Sequence, residues 1–506
     1  MLAWAAKLFS RKPVEKSARR YTFAEVEQMR RAIKARYDAA QTTDENRRHW
    51  GWADSLSARA ANSPSVRKKL RERARYERDN NSYADGIVQT LANDVVGTGP
   101  RLQILTENTE VNRAIEQRFA EWFEGAGFPE KLRLAVEAKV VDGESIGVIT
   151  TNNELPTSVK VDLRLVETEQ VTTPTPKVIP MYWVDGIEFD EQWNPAFYHV
   201  LRVHPGDMLG GLNPLEFDRV PAAEVIHWFR KRRVGQARGV PEITAALPLF
   251  AQMRRYTLAT LSAAEIAADF AAMLQSDAPP DGETDDPTPF ETLEIERGMM
   301  TVSPAGWKMH QFKAEHPTNT YEAFKWEILA EIARCINMPI GIAAGNSSKY
   351  NYSSGRLDHQ SYHRSIKVVR GHCEVVVLRR LFAAWLDEAL MIPGYLPREV
   401  PTDASQITLS WVWPGFGHVD PTKESSADET DLRNNTRTMA DICAENGQDW
   451  ETVLRQRAKE IALGRELGLV AEPSAKQTNA SAAAKVPADG ATDNEEADAE
   501  DANASD

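Results

Sequence analysis

The stretch "PEITAALPLFAQMRRYTLATLSAAEIAADFAAML" (residues 241–274) decides the fold. Alanine and leucine dominate it, and both are strong helix formers, so it predicts a helix far longer than the average of about 11–12 residues. A second long helix before Pro339 is predicted by apolar residues that recur every three or four positions, namely Tyr321, Phe324, Ile328, Ile332 and Cys335. The Pro/Asp-rich stretch "QSDAPPDGETDDPTP" lies between them. Two long helices around a small insertion are more typical of a stalk with a tip than of an enzyme.

The composition is that of a soluble globular protein. Of the 506 residues, 42% are apolar and 26% are charged, which allows two to four domains. We find no apolar run of the roughly 18 residues that a membrane span needs. The three cysteines lack CxxC spacing, which argues against a disulfide framework and against a zinc site. The N-terminal "MLAWAAKLFSRKP" is apolar first and basic afterwards, the reverse of a secretory signal, so we expect a short arm there.

The net charge of −14 is unevenly distributed. From Ala471 onward the chain has nine acidic residues, two lysines and no aromatic residue, so we expect this tail to be disordered. The rest of the chain is mildly acidic. Sequence-specific DNA-binding proteins usually carry a basic face, and none is evident here.

Residues 21–90 are predicted to be helical, and Ile87, Leu91 and Val95 form an apolar stripe. Seven basic residues cluster within residues 67–78. They favour a solvated helix face balanced by neighbouring acids, with an intersubunit or polyanion contact as the alternative. "VVGTGP" (95–100) precedes a strand-like run and lacks a third glycine, so it predicts a turn and not a nucleotide-binding loop. Residues 131–235 alternate between strand-like pieces and turns, which indicates an α+β class.

The C-terminal half is again predicted to be helical. A third long helix covers about 354–390, with a kink expected at Gly371. The strand-like "ITLSWVW" precedes a charged pair of helices that starts at Pro421 and turns at Gly447.

We found few candidates for catalysis. The chain has no GxxxxGK[ST] phosphate loop, no HExxH and no GxSxG. His359 and His363 share one helix face beside Asp358, which leaves a metal-dependent hydrolase as one hypothesis and packed or solvated histidines as the other. "DGE" at 142–144 is explained more simply as an Asp-Gly turn between strands. The residues favour an assembly component over an enzyme.

Five phrases, in order, resemble the lambda-type family of bacteriophage portal proteins, the head–tail connectors of tailed phages. They span roughly residues 20–455 and are "RERARYERDNNSYADGIVQTLANDVVGTGPRLQI" (71–104), "WVDGIEFDEQWNPAFYHV" (183–200), "RVPAAEVIHWFRKRRVGQARGVPEITAAL" (219–247), "NYSSGRLDHQSYHR" (351–364) and "DPTKESSADETDLRNNTRTMADICAENGQDWE" (420–451).

The resemblance implies an α+β portal fold that assembles as a ring, typically a dodecamer, at one capsid vertex. The fold would combine an α/β wing, a long-helix stem, a small clip insertion and a helical crown. The implied ranges are an N-terminal arm (1–20), the N-terminal part of the wing (21–235), stem helices (241–264 and 320–338), the clip (265–319), the channel loop (340–353), a long helix with the wing return (354–415), the crown (416–470) and the acidic tail (471–506).

The resemblance also implies partners and a location. Double-stranded DNA would pass through the ring during packaging and ejection, and the ring would contact the terminase large subunit, a head–tail adaptor, and the major capsid and scaffold proteins. The protein would belong to the virion and, during assembly, to the host cytoplasm. No enzyme activity, cofactor, metal or membrane is implied.

Within this plan, "GIAAGNSSKYNYSSG" (341–355) joins two long helices and is rich in Gly, Ser and Asn, as expected of a mobile loop that faces a channel. The candidate DNA-contacting residues are Asn346, Ser347, Ser348, Lys349, Tyr350 and Asn351. Lys349 is the only charged residue before Arg356, so a ring would carry a band of positive charge that contacts phosphates without reading sequence. The alternative is a solvated loop that touches only the neighbouring subunit.

Overall fold

The computed structural model describes residues 22, 24, 48–51, 53–173, 181–207, 216–269, 273–276, 307–310, 320–416 and 421–467. The predicted arm (1–20), most of the predicted clip (265–319) and the acidic tail (471–506) lie outside the described residues. The chain divides into two compact units, residues 1–63 with 233–235, and residues 64–232 with 236–506.

The first unit contains one short described helix, α1 (Ala58–Ala61). The Ser57 hydroxyl caps it by accepting a hydrogen bond from the Ala60 amide at 3.2 Å. Arg233 donates to the carbonyl of Leu56 at 3.0 Å, which ties the two chain segments of this unit together.

The second unit begins with helices. Its first five elements are α2 (Pro64–Asn80), α3 (Ser82–Val96), β1 (Arg101–Ile104), α4 (Thr109–Gly125) and α5 (Phe128–Val141). The predicted stripe of α3 is buried at Ile87, Leu91 and Val95. Gly97 ends α3 with a φ of +57°, so the predicted turn before a strand is confirmed. The expectation of strand from residue 131 was wrong, because Phe128, Leu132 and Val136 recur at helical spacing and are buried together.

Two antiparallel sheets follow. β2 (Glu144–Thr151) pairs with β3 (Val161–Val166) and β8 (Val225–Phe229) in the order β3-β2-β8. The second sheet has the order β4-β5-β6-β7 and comprises β4 (Trp183–Val184), β5 (Ile187–Phe189), β6 (Pro195–Leu201) and β7 (Phe217–Pro221). Ile146, Ile187 and Tyr198 belong to a small apolar cluster that both sheets contribute to. This mixture of helices and antiparallel sheets is an α+β architecture.

The long helices flanking the insertion are α6 (Leu247–Asp269) and α7 (Thr320–Cys335). They pack through aromatic rings, since Tyr256 lies 5.5 Å from the Tyr321 ring centre and 4.8 Å from that of Phe324. Of the predicted insertion, the structure describes one antiparallel pair, β9 (Met273–Ser276) with β10 (Trp307–His310).

The third long helix is present and is interrupted once. It follows the short α8 (Ile340–Ala344) and consists of α9 (Tyr352–Cys373), a π-helical turn (Glu374–Leu378) and α10 (Arg379–Met391). The sequence predicted a kink at Gly371, and the π-helical turn begins three residues later, at Glu374. Trp385 of α10 packs against Phe119 of α4 with ring centres 5.2 Å apart, inside the main hydrophobic core.

The C-terminal part contains β11 (Leu409–Val412), which pairs with β1, and three helices, α11 (Pro421–Asn434), α12 (Met439–Glu445) and α13 (Trp450–Glu466). The sequence predicts two helices after this strand, and this is wrong, because three are present. Asn435 adopts a positive φ of 56° after α11, and Thr438 with Asp441 forms a capping box that starts an extra helix. Gly447 (φ +71°) makes the predicted turn before α13. No helix in the described ranges is long and apolar enough to cross a membrane.

The basic cluster of α2 points largely inward. Arg71 bonds to Glu169 at 2.9 Å and Arg75 to Asp142 at 2.7 Å, and Arg78 pairs with Glu137. Only Lys68, Lys69 and Arg73 of the seven basic residues are exposed. The expectation of a solvated basic face is therefore wrong for most of these residues, which hold α2 onto the rest of the fold.

Candidate functional site

The candidate loop lies between α7 and α9 and is shorter than predicted. Residues 340–353 were expected to form one loop, but Ile340–Ala344 is helical and Gly345 ends this helix with a φ of +61°. Gly341 and Ala343 are buried, which explains why the segment folds as a helix against its surroundings. The loop itself is residues 345–351, which we call the channel-loop segment.

Local hydrogen bonds order the backbone of the channel-loop segment. The amide of Tyr350 donates to the Ser347 carbonyl at 3.1 Å, and the amide of Ser348 donates to Asn346 Oδ1 at 2.9 Å. Asn351 then caps α9 by accepting from the Ser354 amide at 2.8 Å, and Ser354 returns a bond to Asn351. The segment is therefore a hydrogen-bonded turn in this structure.

Tyr350 anchors the segment to α8. Its hydroxyl oxygen accepts a hydrogen bond from the Gly341 amide at 3.0 Å. A Cβ atom at Gly341 would overlap the Tyr350 ring, so only glycine permits this close approach. Partial burial raises the pKa of the Tyr350 hydroxyl, which stays protonated at neutral pH.

Lys349 is folded back onto α7. Its Nζ lies 3.0 Å from Glu322 Oε1 and 4.5 Å from the ring centre of Trp326, one helical turn further along α7. Both charged side chains remain accessible, with 45% of Lys349 and 80% of Glu322 exposed. The lone positive charge predicted for this loop therefore has a partner within its own chain.

The remaining candidate residues differ in exposure. Asn346, Ser347 and Ser348 are exposed, as is Asn351, whereas Tyr350 is partly buried. Hydroxyl, amide and ammonium groups on one short turn can donate hydrogen bonds to the oxygens of an anion such as phosphate. Tyr350 and Asn351 are engaged in holding the segment. The groups accessible to a ligand are therefore those of Asn346, Ser347 and Ser348, together with Lys349, which would have to exchange Glu322 for the ligand.

The two histidines pack and do not form a metal centre with Asp358. His363 stacks on Phe416 with ring centres 3.7 Å apart and an interplanar angle of 11°. Burial lowers the pKa of His363 to about 4, so the ring is neutral at physiological pH. Its ring centre lies 5.9 Å from that of His359. Within the described residues, the group whose ligand atoms lie close enough for a metal ion is elsewhere, so the hydrolase hypothesis gains no support.

That other group, Glu167, Glu169 and His204, is better explained as an ion-pair cluster. His204 Nδ1 accepts a hydrogen bond from the Gly206 amide at 3.0 Å, and its Nε2 lies 3.5 Å from Glu167. Arg75 Nη2 also lies 3.0 Å from Glu169. The Arg75 guanidinium thus already neutralises this pair of carboxylates, since Nη2 also lies 3.5 Å from Glu167 Oε2.

A buried ion-pair network is the feature that the sequence did not reveal. Glu144 is fully buried and accepts hydrogen bonds from Arg238, from His227 Nε2 at 2.9 Å and from the Gly239 amide at 2.7 Å. Burial alone would raise the pKa of the Glu144 carboxyl, but Arg238 and His227 hold it well below its usual value. The Asp-Gly-Glu stretch is thus a turn from helix to strand, not between strands, and its glutamate is structural.

Comparison with known proteins gives a consistent family likeness. The model of the family described as "Phage portal protein, lambda family" matches residues 45–370, more than half of the chain. A protein of Halomonas phage phiHAP-1, described as a probable portal protein, is 26% identical over 459 residues, which cover 84% of this chain and 86% of that protein.

Two solved structures show a weaker likeness. The neck of a native GTA particle, computed with C12 symmetry, aligns at 15% identity over 74% of this chain and 91% of the matched chain, with a TM-score of 0.42. An HK97 family phage portal protein from Corynebacterium diphtheriae aligns at 10% identity over 62% of this chain and 90% of its own, with a TM-score of 0.29. Both scores are low, so the family likeness rests on the sequence comparisons.

Proposed function

Since this chain belongs to the lambda family of phage portal proteins, we propose that it forms the ring at the capsid vertex through which double-stranded DNA is packaged and later ejected. The observation that carries the proposal is the family match over residues 45–370. Copies of one chain joined head to tail close into a ring when the rotation between them permits it. The protein would act as a structural conduit of the virion and would be assembled in the host cytoplasm.

The pair of long helices supports this proposal. α6 and α7 run before and after the insertion and pack through Tyr256, Tyr321 and Phe324. In a ring, such a helix pair would serve as the stem, with the insertion at one end and the sheets and remaining helices forming wing and crown. The stem, clip and crown boundaries stay predictions.

The channel-loop segment is the part that we propose to face the DNA. It presents Asn346, Ser347, Ser348 and Lys349 to solvent, and one copy per subunit would form a circle of donors around the channel. Contacts of this kind are independent of DNA sequence and weaken with salt, which suits a duplex that must move.

The partners follow from the same function. We propose that the insertion docks the terminase large subunit during packaging and a head–tail adaptor afterwards, and that the outer surface meets the major capsid and scaffold proteins. These proposals rest on the family, because most of the insertion lies outside the described residues.

The experiment that tests the function is negative-stain electron microscopy of the purified full-length protein, viewed down the symmetry axis. A closed ring, with a dodecamer expected, around a hole wide enough for duplex DNA supports the proposal. Monomers or dimers that persist at high concentration contradict it. A Lys349→Ala variant that assembles into rings but packages less DNA would then support the role of the channel-loop segment.

A further inference from the structure

We propose that Glu322 is the built-in counter-ion of Lys349, and that it sets how strongly the channel-loop segment holds duplex DNA. This inference rests on the proposed function, because it concerns what the segment does when phosphate is nearby. Glu322 lies on α7, outside the loop, and its Oε1 is 3.0 Å from Lys349 Nζ.

The contacts of Lys349 show that its ammonium group is held in place. Glu322 and Trp326 are four residues apart on α7, so they share one helix face, and Lys349 Nζ contacts both. At the next position, Tyr350 fixes the backbone of the segment to Gly341. The ammonium group is thus positioned on α7 by a carboxylate, an aromatic face and a neighbouring anchor.

Because the Lys349–Glu322 ion pair is exposed, another anion can replace Glu322 as the partner of Lys349. Glu322 is 80% exposed and Lys349 is 45% exposed, and ion pairs between accessible side chains contribute little because water and salt screen them. A DNA phosphate that approaches Lys349 would compete with Glu322 for the same ammonium group. The displaced Glu322 carboxylate would stay beside the phosphate and repel it, so the net attraction would be smaller than that of a lysine without a paired acid.

This arrangement would let the loop contact DNA without trapping it. A circle of unpaired lysines would bind a polyanion strongly, and the binding would fall steeply with salt. A circle of lysines that each carry a competing carboxylate would bind weakly and would reset to the Glu322-bound state after each phosphate has passed. Glu322 would therefore limit the friction on moving DNA.

The test uses the full-length ring and a fluorescein-labelled duplex of random sequence as the probe, with binding followed by fluorescence anisotropy over a range of NaCl concentrations. We expect Glu322→Gln to tighten binding about three- to five-fold at low salt and to steepen the salt dependence. Lys349→Ala should weaken binding, and the double variant should behave like Lys349→Ala, because Glu322 acts only through Lys349.

A matched control separates the loss of the Lys349 partner from the loss of one negative charge on α7. Glu331 is also exposed on α7, so Glu331→Gln removes the same charge from the same helix at a different place. If Glu331→Gln tightens binding as much as Glu322→Gln, the effect is that of overall charge and the inference is overturned.

The remaining outcomes distinguish this inference from the proposed function. If Lys349→Ala weakens binding while Glu322→Gln binds as the wild type does, the loop contacts DNA but Glu322 does not regulate it. If Lys349→Ala leaves binding unchanged, the proposed DNA contact itself is wrong. Because Glu322 and Lys349 are both accessible, neither substitution disturbs the core, and ring assembly can be verified for every variant by electron microscopy.

Discussion

The Glu144 carboxylate is clamped by the guanidinium of Arg238, whose Nε and Nη2 lie 3.0 and 2.7 Å from Oε1, with 0% of Glu144 and 3% of Arg238 exposed. Arg67 of α2 approaches the same oxygen to 3.4 Å. Three segments distant in sequence therefore meet at one buried carboxylate: α2, the start of β2 and the chain that leads from β8 to α6. We infer that this network fixes where the long-helix pair leaves the sheets.

Replacing Glu144 by glutamine should strongly destabilise the fold. The variant keeps the shape of the side chain but removes the carboxylate that Arg67 and Arg238 share at the centre of the network, so that Asp185 is left as the negative charge that contacts both guanidinium groups. Removing one member of a buried ion pair usually costs about 3–5 kcal/mol. The free energy of unfolding, measured by urea titration, should fall by an amount in this range.

The control for this prediction is Glu72→Gln. Glu72 also pairs with a basic residue of α2, since Lys69 Nζ lies 2.8 Å from its Oε2, but both side chains are exposed. Its urea midpoint should stay essentially unchanged. Equal destabilisation by the two substitutions would show that burial is not what makes the Glu144 network important.

The sequence predicted elements better than it predicted contacts. The long helices and the turns at Gly97 and Gly447 follow from residue type and spacing, which are local properties. Direct hydrogen bonds in the Glu144 network join residues up to 95 positions apart, and nothing within Asp-Gly-Glu distinguishes a buried acceptor from an exposed turn. Lys349 illustrates the same limit, because its partner Glu322 lies on another helix and only the folded chain brings them together.

Two helical glycines should respond in opposite ways to alanine. Gly341→Ala places a methyl group within the Tyr350 ring and should cost about 1–3 kcal/mol, because the ring must move and lose its hydrogen bond. Gly371→Ala, in α9, meets no atom within 4 Å and should stabilise the protein by about 0.5–1 kcal/mol. Thermal unfolding measures both effects.

Hydrogen exchange gives the local readout for this pair. The amides of residues 346–351 should exchange faster in Gly341→Ala and at the wild-type rate in Gly371→Ala. Unchanged exchange of this peptide in Gly341→Ala would mean that Tyr350 does not hold the channel-loop segment.

Acid should weaken the packing of His363 on Phe416. The pKa of His363 in the folded state is lowered to about 4 by burial, below the ordinary value of 6.5, so the unfolded chain binds the proton more readily. The stability that the neutral ring contributes is present above pH 6.5 and is lost as the pH falls towards 4. His363→Phe keeps a ring on Phe416 without a titrating group. The difference in unfolding free energy between wild type and variant should therefore change over this pH window, and a constant difference would contradict the assignment.

Raising the pH should weaken the packing around Glu116 of α4. Burial raises the pKa of Glu116 to about 7, its hydrogen bond from the Ile104 amide opposes this shift, and the nearby charges of Asp449 and Glu451 add to it. Because the folded-state pKa lies above the ordinary value of 4.5, the protonated group contributes stability below pH 4.5 that is lost as the pH rises through 7. We therefore expect the contact between α4 and the start of α13 to weaken in mildly basic solution.

Glu116→Gln isolates this effect. The amide oxygen of glutamine can still accept from the Ile104 amide, which the glutamate does at 2.6 Å, but it never acquires a charge. The variant should match wild type near pH 4.5 and be more stable above pH 7. Hydrogen exchange of residues 448–460 can be measured over a range of pH, with each rate corrected for the intrinsic exchange rate at that pH. At high pH, the variant should keep the protection of these amides and the wild type should lose it. If the wild type and the variant lose protection at the same pH, a group other than Glu116 controls the contact. Asp449, which accepts a hydrogen bond from Gln103 at 2.7 Å, would then be the next residue to replace.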